Sequence, residues 1–395
     1  ALLKGKIAPV TDAERVALKD AVGRILAEKL VATRDVPPSD NVAVDGYAVR
    51  FADLVPGGET VLPVAGRAAA GHPLRDTAPA QSAIRVFTGA LLPQGTDTVL
   101  MQEDCKVANG QVTIPAGIKA GANCREAGED IKAGTLVLAA GRRLRAQEIG
   151  LAASLGLTTL SVYRKLRVAL FSTGDELREP GDALSLGSIY DANRYTLRAL
   201  LHGLGADISD LGILADKPET MRAALAEAAK THDLVLTSGG MSTGEEDYVK
   251  AAVETLGKLH FWRLAIKPGR PVAMGQIGRV PFVGLPGNPV AVMVTFFLLA
   301  RPLLLLLAGA NDPGPKLYRV RAGFDYKKRP NRTEYVRARL VRDGDGWIAE
   351  KFARDGAGIL TSMVESDGLA EIAEGVTKLE PGMPVDFLPF SEVIP

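Results

Sequence analysis

The chain has 395 residues, of which 47% are hydrophobic and 24% charged, and a formal net charge of +1. This length predicts two to four domains with ample core, and the charge balance excludes recruitment of nucleic acid or acidic membranes by an overall field. Two cysteines, Cys105 and Cys124, without a CxxC pattern, and four scattered histidines argue against a disulfide scaffold or zinc cluster and fit a reducing, cytoplasmic setting. The N-terminal residues lack the apolar run of a signal peptide.

Residues 1–33 are predicted to be helical at least in part, because Leu18, Val22, Ile25, Leu26 and Leu30 recur at helical spacing; Glu14–Leu18 also suits a short strand. Pro37-Pro38 cannot continue a helix. Asp40–Ala48 holds two carboxylates and Asp45-Gly46, a turn signal. Asp45 there suits either a ligand-facing loop or a plain turn.

Residues 60–142 change texture. Short β-prone runs (Thr60–Val64, Ala83–Phe87, Thr98–Met101, Gln111–Ile114, Thr135–Leu138) alternate with Gly, Pro and Asp, which predicts a small all-β insert. Two of its loops are polar: Thr88-Gly89-Ala90 and Arg125–Asp130. Arg125 suits a bidentate clamp on an oxyanion, or a solvated charged turn.

After a helix over Ala146–Leu155, capped by Gly156, strand and helix alternate. Strands are predicted at Leu166–Phe171, Asp207–Leu214, Leu234–Leu236, Phe261–Ile266 and Pro281–Gly284. Helices are predicted at Asn193–Leu204, Pro218–Lys230 and Tyr248–Leu256. Residues 165–308 therefore form an α/β domain with a largely parallel sheet. Three strands end in turns with glycine or acid: Ser172–Glu176, Leu214–Asp216 and Thr237–Asp247. Ligands of such sheets bind beyond the carboxyl ends of the strands. Glycines and free helix-start amides suit a phosphate or other oxyanion. The acids would repel it without a divalent metal between them, although the helix dipole alone also favours acids there.

Lys267–Pro271 and Gly284–Pro289 are stiff, proline-flanked turns. Lys267 and Arg270 suit a polyanion, and the same residues suit structural turns. Val290–Ala308 is apolar and long enough to span a bilayer, but Arg301-Pro302 near its middle points to a buried helix instead. From Leu317 the chain is β-rich and resembles a small separate barrel. Lys316–Arg342 holds ten Lys or Arg and two acids, compatible with an anionic partner or with the wet face of strands.

Several stretches together resemble the MoeA family, the molybdopterin molybdenumtransferases, to which the gephyrin E domain is related. They are Pro37–Asn41 with Val44–Ala48, Thr88–Ala90, Arg125–Asp130, Ser172–Leu177, Ile189–Asn193, Thr237–Tyr248, Lys267–Pro271 and Gly284–Pro289. The match runs in order along essentially the whole chain. It implies a multidomain α/β plus β fold with four regions: a linking domain (1–35 and 131–164), a β-rich insert (36–130), an α/β molybdopterin-binding domain with a parallel sheet (165–312) and a C-terminal β-barrel (313–395). It also implies a homodimer with a shared active site, and insertion of molybdate into adenylylated molybdopterin with Mg²⁺-assisted loss of AMP. A molybdopterin adenylyltransferase would be the upstream partner. A non-catalytic scaffold on the same fold is the competing reading, and the acids kept at Asp45, Glu176, Asp216 and Asp247 weigh against it.

By the same resemblance the catalytic groups are Asp45, Thr88, Arg125, Asp130, Glu176, Asp216, Asp247 and Lys267, with Glu176, Asp216 and Asp247 as metal ligands. Substrate contacts fall on Thr173, Gly174, Ser238, Gly239, Gly240, Ser242, Arg263, Pro268, Pro286, Asn288, Arg332 and Ser362. Arg332 is the barrel's expected oxyanion contact. The chain departs from the family pattern at Val42-Ala43-Val44, at Ala291, and near Gly356–Gly358, where an expected serine pair is missing until Thr361-Ser362. The last two departures bear on the molybdate contacts.

Overall fold

The structure, a computed structural model, describes residues 9–10, 12–240, 248–344 and 346–394, apart from the side chains of 261–263. Packing divides it into two compact units: residues 28–139 with 146–159, and the remainder.

The first unit is built on six strands: β1 (Gly46–Val49), β2 (Thr60–Ala68), β3 (Ala83–Val86), β4 (Thr98–Met101), β5 (Lys106–Ala108) and β6 (Gln111–Ile114), ordered β4-β1-β3-β2-β6-β5. Alternation along the strands gives the sheet two apolar faces, one around Val42, Ala48, Ile84 and Val99, the other around Tyr47, Leu62, Leu100 and Val112. Gly46, read as part of a turn, instead opens β1. A Cβ there would sit 1.7 Å from the Leu100 carbonyl oxygen, so only glycine lets the two strands meet. The expected helix follows as α1 (Ala146–Ser154), and Gly156 closes it with φ +78.

The second unit contains the expected α/β domain: β7 (Arg167–Thr173), α2 (Ala192–Gly203), β8 (Asp207–Leu214), α3 (Pro218–Thr231), β9 (Leu234–Ser238), α4 (Tyr248–Leu256), β10 (Gly257–Arg263), β11 (Ile266–Lys267), β12 (Pro271–Ile277), β13 (Val280–Leu285) and α5 (Pro289–Leu307). The sheet order is β8-β7-β9-β13-β12-β10. The first four strands are parallel, and β12 and β10 add antiparallel. Apolar residues of α2 and α5 pack one face, and those of α3 and α4 the other. Strand β12 was not expected. Its hairpin turns at Gly278, which has φ +58, and the stiff turn before it masked the strand's start.

The apolar segment 289–307 is a helix whose side chains are almost all buried within the unit. Buried Arg301 donates from its two terminal nitrogens to the carbonyls of Pro313 and Glu392, each at 2.9 Å. A charge so placed belongs in a protein core with carbonyl partners, not in lipid.

The C-terminal strands are β14 (Tyr318–Ala322), β15 (Thr333–Asp343), β16 (Gly346–Lys351), β17 (Gly368–Ile372) and β18 (Pro384–Pro389). They follow the order β15-β16-β14-β18-β17, and β15 pairs again with β17, so five strands close into a barrel. The two-residue strand β11 joins its rim by pairing with β15.

The predicted helix within residues 1–33 is absent from the described part. Ala13–Ala17 is a strand, Leu18–Asp20 a 3₁₀ turn, and Ile25 and Leu26 form bridges to Arg143 and Val162. Gly23, at φ +79, breaks helical continuity, and Val22 on the supposed apolar stripe is 60% exposed. Part of the basic excess of 316–342 is met within the barrel: Arg319 pairs with Asp386, Arg321 with Asp343 and Arg332 with Glu334.

Candidate active site: an acid-bearing sheet edge and an oxyanion cleft

Parallel strands β8, β7 and β9 end side by side, with Thr173 in register with Leu214 and Ser172 with Ser238. Asp216 follows two residues beyond β8. Thr173 Oγ1 donates to Asp216 Oδ1 at 3.0 Å and fixes that carboxylate at the edge. Glu176 folds back over Gly174, where a Cβ would lie 2.6 Å from the Glu176 Oε2. After β9 the chain turns through Gly239 and Gly240, with φ +88 and +63. A Cβ on Gly239 would lie 2.5 Å from the Thr173 carbonyl oxygen, so the backbone can approach the edge only as glycine. The hydroxyls of Ser172 and Thr237 are buried beneath it without a hydrogen-bond partner among the described residues. The fold thus brings together Thr173, Gly174, Glu176, Asp216, Ser238, Gly239 and Gly240.

Ser242 and Asp247 lie outside the described residues. Arg263 ends β10, and its side chain lies outside them too. Among the described residues no three His, Cys, Asp or Glu groups converge as a metal site. Glu176 and Asp216 supply hard oxygen donors at the strand ends, the kind a magnesium ion takes.

Next to this edge lies a cleft of about 300 Å³ between the α/β domain and the barrel. The turn Gly284–Pro289 links the two features. Pro286 accepts weakly from Ser238 at 3.5 Å, the Gly287 carbonyl accepts from Asn193 Nδ2 at 2.7 Å, and Pro286 and Asn288 line the cleft. Lys267 and Pro268 line its other side.

Pairing of β11 with β15 sets Lys267 opposite Glu334. Glu334 is 1% exposed. It accepts from the Tyr326 hydroxyl at 2.6 Å, from Arg332 Nε at 2.6 Å and from Lys267 Nζ at 3.3 Å. Burial works against its ionisation, but the hydrogen bonds from Tyr326 and Arg332 and the charge of Lys267 outweigh burial and hold the carboxyl below its ordinary range. Burial and the same carboxylate push the Tyr326 phenol up.

Arg337 lines the cleft and is 7% exposed. Its Nε donates to Ser362 Oγ at 3.1 Å, and a terminal nitrogen to the carbonyls of Arg354 and Gly356 at 3.3 and 3.2 Å. All three acceptors are neutral. Burial draws its pKa down, opposed at longer range by Asp355. A fixed, buried guanidinium that faces a cleft beside neutral acceptors has charge to offer an anion. Arg332 is the residue that the family resemblance implies for this role. The structure instead turns Arg332 toward Glu334, and Arg332 does not line the cleft. Arg337 was hidden among the ten cations of its segment, and the spacing of Ser362 gave no sign that it would meet Arg337.

In the first unit, Asp45 precedes β1 and Thr88 follows β3. Asp45 Oδ1 accepts from both the Thr88 amide and its hydroxyl, each at 2.8 Å. The amide bond first, the hydroxyl bond next and, more weakly, the charge of Arg85 hold the Asp45 carboxyl below its ordinary range. Arg125 pairs with Asn41 on a short strand, and the Asp130 amide donates to the Val36 carbonyl; both side chains are exposed. The backbone at Asn41–Val42 runs between this loop and Gly89–Leu91, so all four residues lie at one end of the unit. Only Asp45 and Thr88 touch among the four.

The fold is thus a parallel-stranded α/β domain with an acid-bearing edge, joined to a small barrel across a cleft walled by a buried guanidinium. Comparison with known proteins is consistent along the whole chain. Residues 1–156 match the MoeA N-terminal region (domain I and II), 169–305 a probable molybdopterin binding domain and 319–390 the MoeA C-terminal region (domain IV). A Haemophilus influenzae protein named molybdopterin molybdenumtransferase is 38% identical over 387 residues, covering 97% of this chain and 95% of its own. A Nostoc relative of the same name is 36% identical, covering 95% and 88%. The crystal structure of the Pyrococcus horikoshii molybdopterin biosynthesis moeA protein is similar with a TM-score of 0.84 and 30% identity, covering 98% and 97%. The chain belongs to the MoeA family.

Proposed function

We propose that the chain is a molybdopterin molybdenumtransferase of molybdenum cofactor biosynthesis, which inserts molybdate into adenylylated molybdopterin with release of AMP. The observation that carries this reading is Arg337, a buried cation whose hydrogen-bond acceptors are all neutral, facing a cleft that adjoins the carboxyl edge of a parallel sheet. Molybdate, a tetrahedral dianion, suits the cleft, where Arg337 and Lys267 supply charge and Arg270 stands on the rim. The glycine turn after β9 suits the pyrophosphate of the second substrate, because its bare backbone lets the phosphates approach.

Glu176 and Asp216, with Asp247, would hold Mg²⁺, which would neutralise pyrophosphate charge when bound. Thr173 keeps Asp216 oriented, and the stiff turn at Pro286 holds cleft and edge in fixed relation. Asp45, Thr88, Arg125 and Asp130 complete the site in a homodimer whose sites are shared between subunits. The four-region division named above, a cytoplasmic setting and supply of the substrate by a molybdopterin adenylyltransferase belong to the same reading. A scaffold on this fold would not need the acids at the sheet edge. The test is AMP release from adenylylated molybdopterin by the purified protein. Release that depends on both molybdate and Mg²⁺ is expected; release indifferent to molybdate would overturn the assignment.

A further inference from the structure

We infer that Glu334 is a stand-in anion for the cleft: it holds Lys267 and Arg332 in the free protein and surrenders them to the bound oxyanion. This rests on the reading of the cleft as the molybdate site. The cations on this wall are of two kinds, and of them Arg337 and Lys267 line the cleft while Arg332 stands behind it on Glu334 and reaches it only by leaving that carboxylate. Arg337 is buried and fixed by Ser362 and two carbonyls. Lys267 and Arg332 have side chains 51% and 36% exposed, and the anchor they share is Glu334, whose side chain is 2% exposed. The anchor is enclosed, whereas its two cations have room to swing. At 3.3 Å the Lys267 contact is also the longest of the three made by the carboxylate.

A doubly charged oxyanion in the cleft competes with Glu334 for both cations. Once they turn toward it, the buried carboxylate keeps one donor, the Tyr326 hydroxyl. An ion so placed, with no cation against it, is strongly disfavoured. It takes a proton from solvent on a carboxylate oxygen, so oxyanion binding is coupled to uptake of up to one proton. The charged and titratable groups facing Glu334 are Lys267 from β11, Tyr326 and Arg332 from the segment before β15, and Asp355 acting through Tyr326. The sign follows. The free protein binds fewer protons than the complex, so molybdate affinity falls as pH rises.

The test is calorimetric titration of the full chain with sodium molybdate, in buffers of different ionisation enthalpy across neutral pH. Wild type is expected to take up protons on binding. Glu334→Gln is expected to bind with no uptake and about tenfold tighter, since the competing charge is gone. Tyr326→Phe removes the remaining donor to the carboxylate and should move the uptake to higher pH. Its shift tests the inference even if Glu334→Gln fails to fold. Molybdate binding without proton uptake in wild type, uptake retained in Glu334→Gln, or an unmoved profile in Tyr326→Phe would each overturn it. Failure of wild type to bind molybdate, or equal binding by Arg337→Gln, instead refutes the assignment of the cleft.

Discussion

Arg337→Gln probes the cleft most directly. The substitution removes one guanidinium charge from the wall and keeps an amide able to reach Ser362. Two unit charges about 4 Å apart interact by about 4 kcal/mol at an effective dielectric of about 20. A dianion raises that figure, while Asp355, Glu334 and entering solvent offset much of it. A net loss of about 3 kcal/mol is expected, or about 150-fold in half-saturating molybdate. Stability should change by no more than about 2 kcal/mol, because the lost hydrogen bonds to Ser362, Arg354 and Gly356 are offset by relief of a buried charge. The assay is initial AMP release against molybdate concentration, with a thermal melt as control. Turnover should recover at saturating molybdate, since the sheet edge is untouched. A half-saturation within about threefold of wild type, in a protein that melts normally, would refute the reasoning.

Four further outcomes follow from the same geometry. Gly46→Ala forces a Cβ to within 1.7 Å of the Leu100 oxygen and should abolish soluble folding or cost at least about 3 kcal/mol by denaturant titration; a near-neutral effect would refute the close approach. Asp233 is held at about 2: burial opposes its ionisation, but hydrogen bonds from Arg164 and Arg167 prevail. Its folded pKa is depressed, so its stabilisation is present above the ordinary carboxylate range and lost as pH falls toward about 2. Asp233→Asn should therefore lower stability at neutral pH and narrow the gap to wild type in strong acid, read from melts across that range. Asp216→Ala should raise the Mg²⁺ requirement for AMP release at least about tenfold while leaving molybdate binding within about twofold. Finally, Asp45→Asn and Arg337→Gln protomers, mixed equally after each is shown to be weak alone, should recover about a quarter of wild-type activity if sites are shared across a two-fold axis, and none if each chain holds a whole site.

Apolar runs and their spacing made the alternating strands and helices of the α/β domain legible, because fully buried parallel strands write themselves as Val, Leu and Phe. The N-terminal stretch misled for the opposite reason. Its apolar residues have helical spacing, but Ile25 and Leu26 pair as bridges with segments more than a hundred residues away, and Gly23 decides the matter. The acids and glycines of the sheet edge were legible as turn chemistry following strands. The cleft was less so. Lys267 and Glu334 are 67 residues apart, and Asp45 and Thr88 are 43 apart. Nothing in local composition says which of ten neighbouring cations is buried. Alternation sends Val336 and Ala338 into the barrel and puts Arg337 and Arg339 on its outer face, where the segment around Gly356 and Ser362 covers Arg337 and leaves Arg339 exposed.

The short strand β11 has a consequence for how this protein can evolve and be taken apart. Two residues that belong by sequence to the pterin-binding fold complete the rim of the barrel, and one of them is Lys267. The barrel is therefore not a detachable module. Deleting it would strip Lys267 of its strand partner and of Glu334 together, and grafting a different barrel would have to reproduce both. A free-standing α/β domain of this sequence should keep its sheet edge and lose the cleft. Substitutions on β11 and β15 should accordingly vary together, as residues of one shared seam.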